Sequence, residues 1–193
     1  EKRMAFTNLA ATFHTNADAI IADLKRVSHN SITESQAITV AGKAMLSGLD
    51  PRALPGLMEF AKTMTKFTGE NVTNTFDDLS RAIVTSQDRM LRMQRIDVDF
   101  DKAQDTLAKS LGGTKDQLNE QQKQYANLTA LMEAASTMTQ RLGKDNQSMS
   151  DELRATTTGL SEAYTKLHDS FFLAFGKLAI FMMEVFAERL DRI

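Results

Sequence analysis

No cysteine occurs in the 193 residues of this chain, which excludes disulfides, thiol nucleophiles and thiolate metal sites. The absence suits a reducing compartment. Proline occurs only twice, and the chain reads as lacking the alternation of apolar and polar residues, at a period of two, that a half-buried strand requires. Charge of one sign is missing too. The 23 basic and 25 acidic side chains leave a net charge of -2, so there is no general pull toward nucleic acid, and no sequence-specific nucleic-acid partner is expected. No basic leader runs into an apolar stretch, so a signal peptide is not expected. Residue 1 is Glu and the chain stops at Ile193 within a helical pattern, so a fragment or processed product is expected.

What is present is helix-forming. Ala, Met, Leu, Lys, Glu and Gln are plentiful, hydrophobic residues make up 42% of the chain, and the fold class is all-α. Phe6, Leu9, Phe13, Ala17, Ile20, Leu24 and Val27 step by three and four, which predicts one helix over residues 2–28 with a single apolar stripe. Thr33 to Leu46 predicts a second helix, closed near Gly48. Asp50-Pro51 is an N-cap followed by proline at a first helical position, opening a third helix that ends near Phe67 and Gly69. Val72, Phe76, Leu79 and Ile83 predict a fourth, whose end is left open by the polar-basic stretch Arg89 to Arg95. A short helix from Phe100 to Leu111 is broken by Gly112-Gly113. Either Thr114 with Gln117 or Asn119 with Gln122 has the spacing of a capping box for the next helix, which reaches Leu142 and stops at Gly143.

From about Ser150 the pattern is one long helix. Leu160, Tyr164, Leu167, Phe171, Ala174, Leu178, Phe181 and Val185 form a heptad seam, which suits either a bundle within the chain or self-association. Within it lies FFLAFGKLAIFMMEVF, Phe171 to Phe186, in which only Lys177 and Glu184 are charged. About 20 apolar residues are needed to cross a bilayer, so this run is slightly short and carries two costly charges. A buried oligomer core is the favoured reading. Phe172, Phe175, Ile180, Met182, Met183 and Phe186 are the candidate membrane-contacting residues of the alternative.

Residues able to carry chemistry do not assemble into a site. His14, His29 and His168 lie far apart, and none has a second histidine at helical ligand spacing. Asp97, Asp99 and Asp101 resemble the start of a calcium loop, but Lys102 stands where the sharp-turn glycine belongs and Ala108 where the closing glutamate belongs. They read as a solvated helix start. Gly112-Gly113-Thr114-Lys115 lacks the glycine spacing and residue order of a nucleotide loop and reads as a helix break. No catalytic residue, metal or cofactor is expected.

The run GLDPRALPGLMEFAKTMTKFTGENVTNTFDDLSRAI, Gly48 to Ile83, resembles the part of phage tail tape-measure proteins that follows their N-terminal helices. The likeness continues through IDVDFDKAQDTLAKSLGGTKDQLNEQQKQYANLTALMEAA, Ile96 to Ala135. There the order Asp-x-x-x-Ala, Leu-Gly-x-Thr, Leu-x-Glu-x-x-Lys-Gln and Leu-x-x-x-x-Glu is similar to that family. TTTGLSEAYTKLHDSFFLAFGKLA resembles its next element, so about residues 45–180 are covered. One stretch departs. Where the family commonly has a short Arg-Gly turn and Leu-Gly-Ile, this chain has TSQDRMLRMQRI, a sequence open to extending the preceding helix.

The resemblance implies an elongated helical bundle with short Gly-punctuated loops and a long C-terminal heptad helix. Residues 1–47 are expected to be N-terminal helices, 48–145 the compact family-like region, and 146–193 the apolar coiled-coil helix. It further implies a virion protein of the tail lumen, assembled in the host cytoplasm, that sets tail length, fills the tube and leaves it at genome delivery. The implied partners are further copies, as a trimer, tail-tube proteins, tail-tip or baseplate proteins, and the host inner membrane during delivery. The alternative is a membrane-active helical protein, a pore-former or translocator, that inserts residues 171–186.

Overall fold

Helix ends are set by side chains that serve the backbone N–H groups a first turn leaves without partners. The computed structural model describes residues 1–94 and 96–141, and among them are eight α-helices, two short 3-10 turns and no strand. Asn16, Asn71 and Asp99 each accept a bond from a backbone N–H two or three residues on. Thr33 and Gln36 form a reciprocal capping box. The helices are α1 (Lys2–Thr12), α2 (Ala17–Val27), α3 (Glu34–Leu46), α4 (Leu54–Thr68), α5 (Val72–Thr85), α6 (Arg89–Met93), α7 (Phe100–Ser110) and α8 (Glu120–Arg141). All lie in the compact unit Glu1–Thr157, whereas the second unit, Thr158–Ile193, is outside the described residues.

The single helix predicted over residues 2–28 is two helices. His14 adopts a φ of 54°, its N–H and that of Thr15 bond back to Ala11 and Ala10, and Asn16 restarts the chain by accepting from Ala19 N at 3.0 Å. The periodicity survives the break because Phe13 is half-buried at the corner while Ala17 is buried just beyond it. The helix after Val72 is likewise not extended. It ends at Ser86, which holds a left-handed φ of 54°, and Gln87 N bonds back to Ala82 O at 3.0 Å. The polar-basic stretch that follows forms only α6, pinned by the buried Leu91.

The alternation of apolar and polar residues that the sequence reading missed lies at Ile96 to Phe100. Ile96, Val98 and Phe100 are buried and Asp97 and Asp99 exposed, which is the geometry of an extended connector. It is assigned to no strand and leads directly into α7.

The core is built around α4. Its Leu54, Leu57, Met58, Phe60 and Ala61 are each 0% exposed, so the helix is enclosed on nearly every side. It packs against α2, α5 and α8, while α3 bridges α2 and α5, and α1 lies on α2 and α3. The leucine, methionine and phenylalanine side chains contribute roughly 1.5–3 kcal/mol each when fully buried. The residues before and after position 48 therefore share one core. Gly48 (φ 92°) turns the chain between α3 and α4, and an added Cβ would stand 3.2 Å from Gln124 Oε1 on α8. Gln124 Nε2 itself donates to Ser47 O at 3.2 Å, which ties that turn to α8.

Both sequence alternatives for the start of α8 are used in succession. Thr114 N donates to Gln117 Oε1 at 2.8 Å, closing a 3-10 turn (Lys115–Gln117). Asn119 N then donates to Gln122 Oε1 while Gln122 N donates to Asn119 Oδ1, both at 2.8 Å. Gly113 permits the first, since a Cβ there would lie 2.6 Å from the same Gln117 oxygen. The predicted stop at Leu142 and Gly143 lies outside the described residues.

Asp50 accepts from Arg52 N at 2.9 Å and pairs with the Arg52 guanidinium, opening the 3-10 turn Pro51–Ala53 that leads into α4. Replacing Asp50 by Ala should cost about 1 kcal/mol in urea unfolding. Exposed Asp116, between two caps made by other residues, should cost no more than about 0.5 kcal/mol as Ala. Equal losses would show that Asp50 does not serve the entry to α4.

Candidate functional site

Two buried amides and a serine hydroxyl form a polar cluster where α5, α7 and α8 meet. Asn127 on α8 is 0% exposed and Gln104 on α7 is 4% exposed. Gln104 Nε2 donates to Asn127 Oδ1 at 2.9 Å and to Ser86 Oγ at 3.0 Å. Asn127 Nδ2 donates to Ser86 Oγ at 2.9 Å and to Ile83 O at 2.8 Å. Ile83 O lies in the last turn of α5, so Asn127 supplies from another helix the donor that a helix C-terminus lacks. Amides and an aliphatic hydroxyl do not titrate near neutrality, so the cluster is a hydrogen-bonded joint with no acid–base capacity.

Beside this joint runs an open groove of about 640 Å³ between α7 and α8. Val98, Ala103, Leu107, Tyr125, Ala130 and Met138 line its apolar part, and Asp97, Asp99, Lys102 and Glu133 bring charge to it. Asp99 is used locally, accepting from Lys102 N at 2.9 Å to cap α7. Asp101 Oδ1 accepts from Lys115 Nζ at 2.7 Å, and that bond, with the lysine charge, holds the Asp101 carboxyl below the usual carboxylate range. The Asp88 carboxylate beside Arg92 raises the guanidinium further above its ordinary value.

The three aspartates are thus a helix start and a surface ion pair, as solvated acids at a positive helix end should be. His14 and His29 are exposed and occupy left-handed positions at helix ends. Among the described residues no group of three or more His, Asp or Glu is placed to hold a metal ion, and no helix is long and apolar enough to cross a membrane. His168 lies outside the described residues. So do the seam residues Leu160, Tyr164, Leu167, Phe171, Ala174, Leu178, Phe181 and Val185, and the alternative membrane set Phe172, Phe175, Ile180, Met182, Met183 and Phe186. The joint itself was not foreseen. Its one sequence signal is that Gln104 lies four residues from both Phe100 and Ala108, on the apolar stripe of α7.

Comparison with known proteins adds no name to this geometry: no family model, curated protein or solved structure matches the chain.

Two measurements probe the site. Asn127→Leu removes both amide donations and leaves the buried Gln104 amide and the Ile83 carbonyl short of partners, a loss of roughly 2–4 kcal/mol in unfolding free energy. A loss under about 0.5 kcal/mol would show that the joint is dispensable. The Asp101–Lys115 pair should behave differently. Because the folded carboxyl titrates lower than the unfolded one, its contribution is full above the unfolded value and fades as pH falls through the folded one, below about pH 4. Lys115→Ala should return Asp101 to the usual carboxylate range in an NMR titration, and an unmoved Asp101 would refute the pairing.

Proposed function

We propose that this chain is a segment of a phage tail tape-measure protein, a non-enzymatic structural element that occupies the tail tube, sets tail length and assists genome delivery. The observation that carries this reading is the ordered run of family-like motifs from Gly48 to Ala135. Many of the residues that make those motifs recognisable end or begin helices. Gly48 and Asp50 separate α3 from α4, Gly69 and Asn71 separate α4 from α5, and Gly112 to Asn119 separate α7 from α8. A motif order of this kind therefore encodes an order of helices and turns, which is what a related fold would share. The all-helical architecture is compatible with it, and long helices, at a rise of about 1.5 Å per residue, suit a ruler.

On this reading the bundle is elongated, residues 146–193 form a long heptad helix, and the chain self-associates as a trimer through Leu160 to Val185. A two-stranded coil buries only its a and d positions, while Phe172, Phe175, Ile180, Met182, Met183 and Phe186 widen the apolar face beyond what one partner covers. The tape-measure resemblance supplies the number three. Tail-tube proteins and tail-tip or baseplate proteins are the other partners, in a virion tail.

The run Phe171 to Phe186 favours a second reading, a pore-former or translocator that inserts this segment in a membrane. Only Lys177 and Glu184 are charged, and their heptad spacing would put them on one face of a helix.

Light scattering at high micromolar concentration should give a trimer. Leu167→Asp with Leu178→Asp places two charges in the seam, each costing several kcal/mol if buried, and should give a monomer that keeps most of its circular dichroism. A monomeric wild type would overturn the seam. Flotation with liposomes separates the two readings: binding that requires residues 171–186 supports insertion, and binding to tail-tube protein without liposome capture supports the tape.

A further inference from the structure

Helix α7 is held differently from the helices around α4. Its buried residues are Phe100, Gln104 and Ala108, so one large apolar side chain, one amide and one methyl group make up its inner face. By contrast α5 buries Val72, Phe76, Leu79, Ala82 and Ile83, and α4 buries more. The main packing partner of α7 is α8, with the 3-10 turn Lys115–Gln117 at its far end. Beside that face the half-buried Ala103 and Leu107 line the open groove between α7 and α8.

The polar joint is also divided in a particular way. Both side-chain bonds that α7 makes to its neighbours there are donated by one atom, Gln104 Nε2. Asn127 keeps its two donations, to Ile83 O and Ser86 Oγ, without any help from α7. Withdrawal of α7 would therefore leave α5 and α8 joined, and would return one primary amide and one carbonyl oxygen to water, which satisfies both. On either side of α7 the chain is anchored by buried residues, Val98 before it and Leu118 after it. Between α7 and Leu118 lies Gly112-Gly113, which gives the backbone room to bend.

We propose that α7 is a strap that opens as a unit between Val98 and Leu118 while α1 to α5 and α8 remain folded. Local opening favours segments with little buried apolar surface, and α7, whose fully buried apolar residues are Phe100 and Ala108, combines that property with a polar seam that parts cleanly. Opening would uncover the face of α8 that bears Asn127 and turn the α7–α8 groove into a wider surface. The inference does not depend on the tail-protein reading.

Native-state hydrogen exchange on the full chain, across low urea concentrations, tests it directly. The amides of Gln104 to Leu111 should exchange about tenfold or more faster than those of α4 and α5, with a weaker dependence on urea. If α7, α4 and α5 converge on one urea-dependent isotherm, α7 opens only with the whole fold and the proposal is wrong. Gln104→Ala should accelerate exchange in α7 by about tenfold and leave α4 and α5 unchanged within about twofold. Uniform acceleration across all three helices would overturn the strap. If that variant fails to fold, the wild-type isotherms decide alone.

Discussion

Enclosure of α4 is the constraint on which the rest of the structure depends. A helix that buries Leu54, Leu57, Met58, Phe60, Ala61 and Met64, and leaves a strip through Pro55, Lys62 and Lys66 at least partly open to water, must be walled on several sides at once. Helices α2, α5 and α8 provide the walls, and α1 and α3 complete the layer outside them. Only a few residues separate α4 from the helices before and after it, so the chain must reverse there in short turns. Gly48, Gly69 and the caps at Asp50 and Asn71 carry out those reversals on either side of α4.

Apolar burial of this kind is forgiving about register, since a methionine or leucine can slide by a turn and still find cover. The joint of Ser86, Gln104 and Asn127 is less forgiving. Each amide has one place where its donors and acceptors are served, and a shift of one helical turn would bury them unserved. The joint thus sets how far α8 runs past the end of α5, and where α7 lies on α8. The core drives the helices together, and the joint selects the arrangement.

Legibility of the site divides along the same line. The aspartates at 97, 99 and 101 were readable as a solvated helix start, because capping involves partners within three residues. Gln104 and Asn127 were not readable as a buried pair. On α7 and α8 they resemble the surface glutamines and asparagines around them, and the partner of each is 23 residues away. Ser86 gave no warning either. A serine in the left-handed region is disfavoured in isolation, and the structure holds it there where two amide donors converge on its hydroxyl oxygen.

By itself the sequence determined the helical class, the caps of α3, α7 and α8, the proline entry before α4 and the glycine stops, because each is decided within about four residues. Its apolar spacing also marked which faces turn inward. The tertiary structure decided where that spacing is interrupted. Residues 13 to 16 keep the helical step of three and four, yet the chain breaks there so that α1 can pack back on α2 and α3. Nor does the local sequence stop α5 at Ser86. Its end coincides with the point where Asn127, from a helix more than forty residues on, donates to the Ile83 carbonyl. A pattern of three and four records which side of a helix is apolar, and only the neighbours that cover that side determine how far the helix runs.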